Sequence, residues 1–410
     1  MSPLLLIGIT IFGGFVGGEV AKRVRLPKVT GYILAGVFLN PGVLGIIPVD
    51  FPRHTDVVTN IALSFITFSV GGTLLFSRVR KLGKGILAIT ILEAETAFVV
   101  VTLGIAAVSP FLLRGDGTGW LTTYIPVALL MGCLASPTDP SATLAVVHEY
   151  RARGQVTSTI LGVTAFDDVT GIINFSLAVA LAQILIQHDT FGLASAVLAP
   201  ARAIFGAILL GAAFGFAFYL LVRVLPRETE GALIVAVLAM LTLCFGAATY
   251  LGVDELLATM TMGVVVVNYN PLSSKIFKVL ERYTEELVFV LFFTLSGMNL
   301  DLSVLVHNLA LVCLFVVFRS AGKLLGATAG AALAHSPSKV RKYVAGGLVP
   351  QGGIVVGLAL LMKQNPALTD VADVVISVII GATVIHELVG PIVSRAAIRA
   401  AGEIPAGHTG

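Results

Sequence analysis

Two adjacent aspartates, Asp167 and Asp168, lie in the otherwise apolar stretch GVTAFDDVTGIINF. An ionised group near the centre of a bilayer costs a few kcal/mol even on insertion scales, so acids placed there are functional or paired. Neighbouring residues on a helix diverge by roughly 100°. The two carboxylates therefore cannot both face one small ion squarely, nor share a proton as an aspartic-protease dyad does. One is expected to face an ion path and the other a neighbouring helix. More hard oxygen donors are at hand in SPTDPSAT, where Pro137 and Pro140 flank Thr138 and Asp139. Burial favours the protonated form of a carboxylic acid and a nearby cation favours the charged form. Such a site can hold either a proton or a bare alkali cation, in competition.

Opposite charges occur in FVVFRSAGKLLG, which sets Arg319 and Lys323 four residues apart on one helix face. Further acids, Glu93 and Glu95, stand in ILEAETAF. Arginine stays charged and suits a permanent structural pair, whereas a buried lysine can lose its proton and suits a switching pair. The expected pairings are Asp167 with Lys323, and one of Glu93 and Glu95 with Arg319.

The elements that must position these groups are membrane helices. The 410 residues are 57% hydrophobic and 12% charged, with a mean hydropathy of +0.97. A soluble protein carries roughly 25% charged residues. Apolar runs of roughly 20 residues, the length that crosses a bilayer, recur at 3–21, 28–47, 57–76, 85–109, 121–147, 157–186, 203–222, 231–250, 253–270, 284–300, 303–333, 341–362 and 371–394. The first run has no basic leader and many spans follow it, so it is not read as a cleaved signal peptide. Of the 26 Lys and Arg residues, 20 fall in alternate loops, which puts the N-terminus outside and the C-terminus in the cytoplasm. The prediction is an all-α polytopic membrane protein of about thirteen helices, one transporter domain over 1–400 and a short cytoplasmic tail at 401–410.

The net charge of +3 is small and dispersed, which excludes nucleic acid as a partner. Membrane lipid is the expected surrounding. Cys133, Cys244 and Cys313 have no metal or redox spacing and read as small packing residues. His54, His148 and His335 sit at span ends and read as interfacial. Trp120 reads as an interfacial anchor and Glu255 as a helix N-terminal acid. His386 with Glu387 reads as a packed pair or a pH-sensing element.

Two spans carry signals that a continuous helix tolerates poorly. The fifth holds Pro137 and Pro140; the twelfth holds LVPQGGIVVG, with Pro350 followed by Gly352 and Gly353. Proline removes an amide donor and clashes with the preceding turn, so both spans are expected to unwind within the membrane. Each is the fifth helix of a six-span half, and the halves run about 1–187 and 231–397 around a linker helix at 203–222. Seven spans separate the breaks, so equivalent helices run in opposite directions. Broken helices at matching places in inverted repeats point to a transporter's substrate site.

With these residues in hand, the chain resembles the monovalent cation:proton antiporter superfamily, the bacterial sodium/proton exchangers, along nearly its whole length. LPKVTGYILAGVFLNPGVLG (Leu26 to Gly45) is similar to the family's early Pro-X-X-X-Gly-Tyr segment. FFTLSGMNLDL resembles its Gly-Met turn and HELVGP its final helix. The most specific features are the broken helix with TDP, the adjacent Asp pair and the Arg/Lys helix. The resemblance implies crossed broken helices, a homodimer and alternating access by a moving six-helix core. It matches the family's ion-binding Asp to Asp168, its neighbour to Asp167, its core Lys to Lys323 and its unwound segment to Thr138 and Asp139.

The expected activity is exchange of Na⁺, or Li⁺ or K⁺, for H⁺ across a bacterial or archaeal inner membrane, with no cofactor and no enzymatic step. Departures from the family pattern bear on detail. Two-Asp members resemble electrogenic exchangers, whereas TDP often accompanies Asn-Asp in electroneutral ones, and here both occur. Gln351-Gly352-Gly353 lacks the Glu of potassium-efflux relatives. A potassium/proton exchanger of the same fold and a sodium-coupled solute symporter are the alternatives. An intramembrane aspartyl protease would need carboxylates converging from separate helices.

Overall fold

Inside a bilayer every backbone N–H and C=O must be paired within the chain, which helices achieve segment by segment. All regular structure among the described residues is helical. The computed structural model describes residues 2–405 apart from 25–27, 46, 49–50, 52–54, 114–118, 140–142, 144–145, 148–149, 187–192, 225–228 and 301. The expectations for Pro140, His54 and His148 lie outside the described residues.

The chain begins with α1 (Pro3–Arg23), α2 (Lys28–Leu39), α3 (Asp56–Thr73), α4 (Phe76–Leu112), α5 (Ile125–Cys133), α6 (Gln155–Ile186), α7 (Leu193–Val224) and α8 (Glu230–Leu251). It continues with α9 (Glu255–Tyr269), α10 (Ser273–Tyr283), α11 (Glu285–Met298), α12 (Leu302–His307), α13 (Leu309–Leu333), α14 (Ser338–Tyr343), α15 (Gly353–Lys363) and α16 (Thr369–Ala400). Among the described residues, 7 helices are long and apolar enough to cross a membrane, and four shorter apolar ones accompany them.

Several boundaries differ from the hydropathy reading. The basic residues Arg78, Arg80, Lys81 and Lys84 belong to the first turns of α4, not to a loop. The eleventh span is divided at Asn308, between α12 and α13. Between the ninth and tenth spans lies α10, an amphipathic helix that a search for apolar runs passes over because half its residues are polar. Cys133 and Cys244 are buried as expected, but Cys313 is exposed: its face of α13 points out of the fold, so it is not a packing residue. Trp120 opens a π-turn, Trp120–Tyr124, ahead of α5 and is exposed. Glu255 starts α9 beside the cap Asp254, whose carboxylate accepts the Leu257 amide at 2.7 Å.

The chain forms two compact units. One comprises Met1–Arg23, Gly31–Lys81 and Gly192–Asn299. In it α9 packs closely on α3, where a Cβ on Gly71 would lie 2.0 Å from the Met260 carbonyl and one on Gly263 2.2 Å from that of Phe68. Thr67 and Thr259 share a buried hydroxyl–hydroxyl hydrogen bond of 2.7 Å across the same contact. The other unit comprises Val24–Thr30, Leu82–Phe191 and Leu300–Gly410. It holds the fourth to sixth and eleventh to thirteenth spans of the sequence reading. Each unit therefore draws on both halves of the chain.

Candidate ion-binding site

All four broken-helix and acidic segments of interest lie in the second unit. There α5 ends at Cys133 and residues 134–139 run on without helix. Facing it, a 3₁₀ turn, Val344–Leu348, gives way to a non-helical stretch at 349–352 before α15 begins at Gly353. The two breaks meet: the Asp139 amide donates to the Pro350 carbonyl at 3.2 Å. A Cβ on Gly352 would lie 2.7 Å from Cβ of Asp139, so only glycine allows this approach.

Unwinding frees carbonyls, and a buried carbonyl without a donor is costly. Six of the carbonyls here have a side-chain donor. Gln351 Nε2 donates to Leu134 at 2.8 Å. Lys323 Nζ donates to Ser136 at 2.6 Å. Arg319 serves four at once: Nε to Ala135 at 3.1 Å, Nη2 to Pro137 at 2.7 Å and to Pro350 at 3.3 Å, and Nη1 to Val349 at 2.6 Å. Its planar fork thus ties both breaks together from α13, and its charge faces the negative ends of helical segments. This corrects the expected pairing of Arg319 with a glutamate. The carbonyls of two breaks in one place outnumber what any nearby carboxylate could offer.

The glutamate goes to Lys323 instead. Nζ of Lys323 donates to Glu93 Oε1 in a close ion pair, and the two side chains are 1% and 0% exposed. A stripe of small residues brings α13 against α4. Added Cβ atoms at Gly322, Gly326 and Gly330 would lie 2.7, 2.5 and 2.7 Å from the backbone of Ala97, Leu92 and Ile89. Small residues spaced by four let membrane helices approach closely. Glu95, two residues on, is turned roughly 200° around the helix, is half-buried and takes no part in the described hydrogen bonds.

Lys323 also reaches the Asp pair. Its Nζ donates to Thr138 Oγ1 at 2.7 Å and lies 3.6 Å from Asp167 Oδ2. The Thr138 hydroxyl in turn donates to Asp167 Oδ2 in a close hydrogen bond. Asp168, on the adjoining face of α6, makes none of the ion pairs among the described residues. Buried carboxylate oxygens without a hydrogen-bond partner among the described residues include Asp168 Oδ1, Asp167 Oδ1 and Glu93 Oε2. Asp139 is also buried, at 8% exposure, and its carboxylate lies near that of Glu387 on α16. Oε2 of Glu387 lies 3.5 Å from the Thr30 hydroxyl. His386 packs edge-on to Phe315, with ring centroids 6.5 Å apart and both nitrogens unpartnered among the described residues. No group of three or more His, Cys, Asp or Glu that could hold a metal ion occurs among the described residues.

The structure thus gathers Asp167, Thr138, Asp139, Lys323, Arg319, Glu93, Pro137, Pro350 and Gly352 around the two breaks, with Asp168 next to Asp167. It leaves Glu95 apart. Sequence reasoning missed Gln351 as a carbonyl donor, the glycine stripe of α13, and the link from Asp139 to Glu387. The stripe was visible as Gly322, Gly326 and Gly330 at intervals of four; the Glu387 link had no local signal.

An all-helical membrane protein with two broken helices meeting at buried acids and bases has the architecture of a secondary transporter. The family model for the transmembrane sodium/hydrogen exchanger matches residues 7–396, and the chain belongs to that family. It is 27% identical over 297 residues to the Na(+)/H(+) antiporter NhaP of Pseudomonas aeruginosa, covering 68% of each chain. It is 23% identical over 362 residues to the probable Na(+)/H(+) antiporter GerT of Bacillus cereus, covering 85% of this chain and 90% of that one. The structure is similar to that of the sodium proton antiporter MjNhaP1 from Methanocaldococcus jannaschii at pH 8, with a TM-score of 0.76, 18% identity, and 97% and 98% of the two chains covered. That likeness shows the antiporter fold.

Proposed function

We propose that this protein exchanges a monovalent cation, Na⁺ with Li⁺ or K⁺ as alternatives, for protons, and that Asp168 is the carboxylate at which they compete. The observation that carries the reading is the placement of Asp168: a buried carboxylate oxygen without a hydrogen-bond partner among the described residues, beside an Asp167 already engaged by Thr138 and Lys323. The remaining oxygens of a hard-cation shell are Asp167, the Thr138 hydroxyl, the Asp139 carboxylate and water. Names of the relatives support cation/proton exchange as the class of activity.

A cation arriving at Asp168 displaces a proton from it and draws on Asp167. Lys323 releases that carboxylate without losing its own counter-ion, because Glu93 stays paired to it. The empty, doubly charged site is the form that is costly to move through a low-dielectric interior, so only loaded forms cross. The site residues all belong to one compact unit, so the site can change the side it faces without being taken apart. Alternating access, a homodimer, an inner-membrane location and an N-terminus outside complete the reading.

Reconstituted into liposomes with an imposed pH gradient, the protein is expected to dissipate the gradient when Na⁺ is added, less or not at all with choline, and to rank Li⁺ and K⁺ against Na⁺. A gradient that collapses only when an organic solute accompanies Na⁺ would overturn this in favour of symport.

A further inference from the structure

Helix α10 has no role in the exchange chemistry. Its 11 residues rise roughly 16 Å, half a bilayer, and it joins the apolar helices α9 and α11. It therefore lies at a membrane–water boundary. One face is spent on packing: Ile276, Val279 and Leu280 are buried, and Phe277 stacks on Phe68 with ring centroids 5.1 Å apart. Turned roughly 100–160° from Phe277, Lys275, Lys278 and Arg282 are all exposed. Their spacing of three and four puts them within about 60° of one another on the helix.

These three cations, with Ser274 and Glu230 at the start of α8, line a cavity of about 420 Å³. Three positive groups against one acid leave its described lining net positive. Exposed Tyr269 and Tyr283 bracket the helix, and such rings sit at headgroup level in a bilayer. The Arg282 guanidinium lies 5.9 Å from the Tyr283 ring, and that of Arg223, at the end of α7, lies 5.3 Å from the Tyr219 ring.

We propose that this cavity binds the phosphate headgroup of an anionic phospholipid. Basic side chains at the interface attract anionic lipid, and arginine adds forked recognition of phosphate. A headgroup is favoured over a free phosphate because the cavity stands beside the aromatic residues that mark headgroup depth.

The test uses the purified full-length protein in detergent with phosphatidylglycerol, phosphatidylcholine or inorganic phosphate added at matched concentrations. Lipid adducts are read by native mass spectrometry, and thermal protection as the difference between lipids. Wild-type protein is expected to retain phosphatidylglycerol about tenfold or more over phosphatidylcholine, a ratio within reach of three interfacial cations. The variant K275Q/K278Q/R282Q loses that preference, and the charge-conserving K275R/K278R/R282K keeps it. The control R341Q/K342Q, on the other unit, also keeps it. The proposal is overturned if the neutral variant retains the preference, if the control loses it equally, or if inorganic phosphate protects as well as phosphatidylglycerol. Should the neutral variant not yield folded protein, the lipid competition on wild type together with the charge-conserving variant decides.

Discussion

At the residue scale, Lys323 has three N–H donors and spends them on Glu93, the Ser136 carbonyl and the Thr138 hydroxyl. Asp167, at 3.6 Å, feels its charge, while the hydrogen bond to Asp167 comes from Thr138. The threonine thus bridges the lysine and the Asp167 carboxylate. Thr138→Val preserves shape but removes both bonds, and a buried group left without its partner costs about 1–3 kcal/mol. The expected outcome is a raised apparent KM for the cation with folded protein retained, whereas Thr138→Ser stays close to wild type. Ion-dependent proton flux over a range of cation concentrations checks both. An unchanged KM in the valine variant would remove Thr138 from the site.

At the element scale, the site depends on how closely α13 approaches α4. Gly326 sits so near Leu92 that a Cβ would lie 2.5 Å from its carbonyl oxygen. Gly326→Leu must push the helices apart and with them Lys323 from Glu93. Overpacking of this kind costs about 1–3 kcal/mol. A lower midpoint of thermal unfolding and a loss of exchange are expected. Gly246→Ala is the contrast: nothing lies within 4 Å of a Cβ there, and alanine favours a helix interior over glycine, so its midpoint stays or rises.

The same elements mark what could be read beforehand. Proline punctuation disclosed both breaks, and charge in apolar runs disclosed Asp167, Asp168, Arg319, Lys323 and Glu93. The pairing of Asp167 with Lys323 was legible and is found at 3.6 Å, but the partners of Arg319 were not, because they depend on which way each helix turns and on where freed carbonyls point. Arg319 went to carbonyls for that reason. Helix α10 escaped notice because a short amphipathic helix carries no long apolar run, and the approach of Asp139 to Glu387 because it joins residues far apart in the chain.

At the scale of the whole molecule, competition between proton and cation for one buried site has a sign that can be measured. As pH falls, protons occupy the site more often, so the apparent KM for the cation rises while the rate at saturating cation is little changed. As pH rises, the KM falls towards a limit set by the cation alone. Transport rates at several Na⁺ concentrations across the neutral range check this, and a KM independent of pH would mean that proton and cation use separate sites.

The most direct test is to remove the charge on which the proposed competition rests. Asp168→Asn keeps the size and polarity of the side chain but can neither bind a cation electrostatically nor carry a proton. In proteoliposomes with an imposed pH gradient, wild-type protein is expected to dissipate the gradient on addition of Na⁺, and Asp168→Asn, reconstituted at equal density, to leave it standing. Cation-dependent proton movement in the asparagine variant would contradict the assignment.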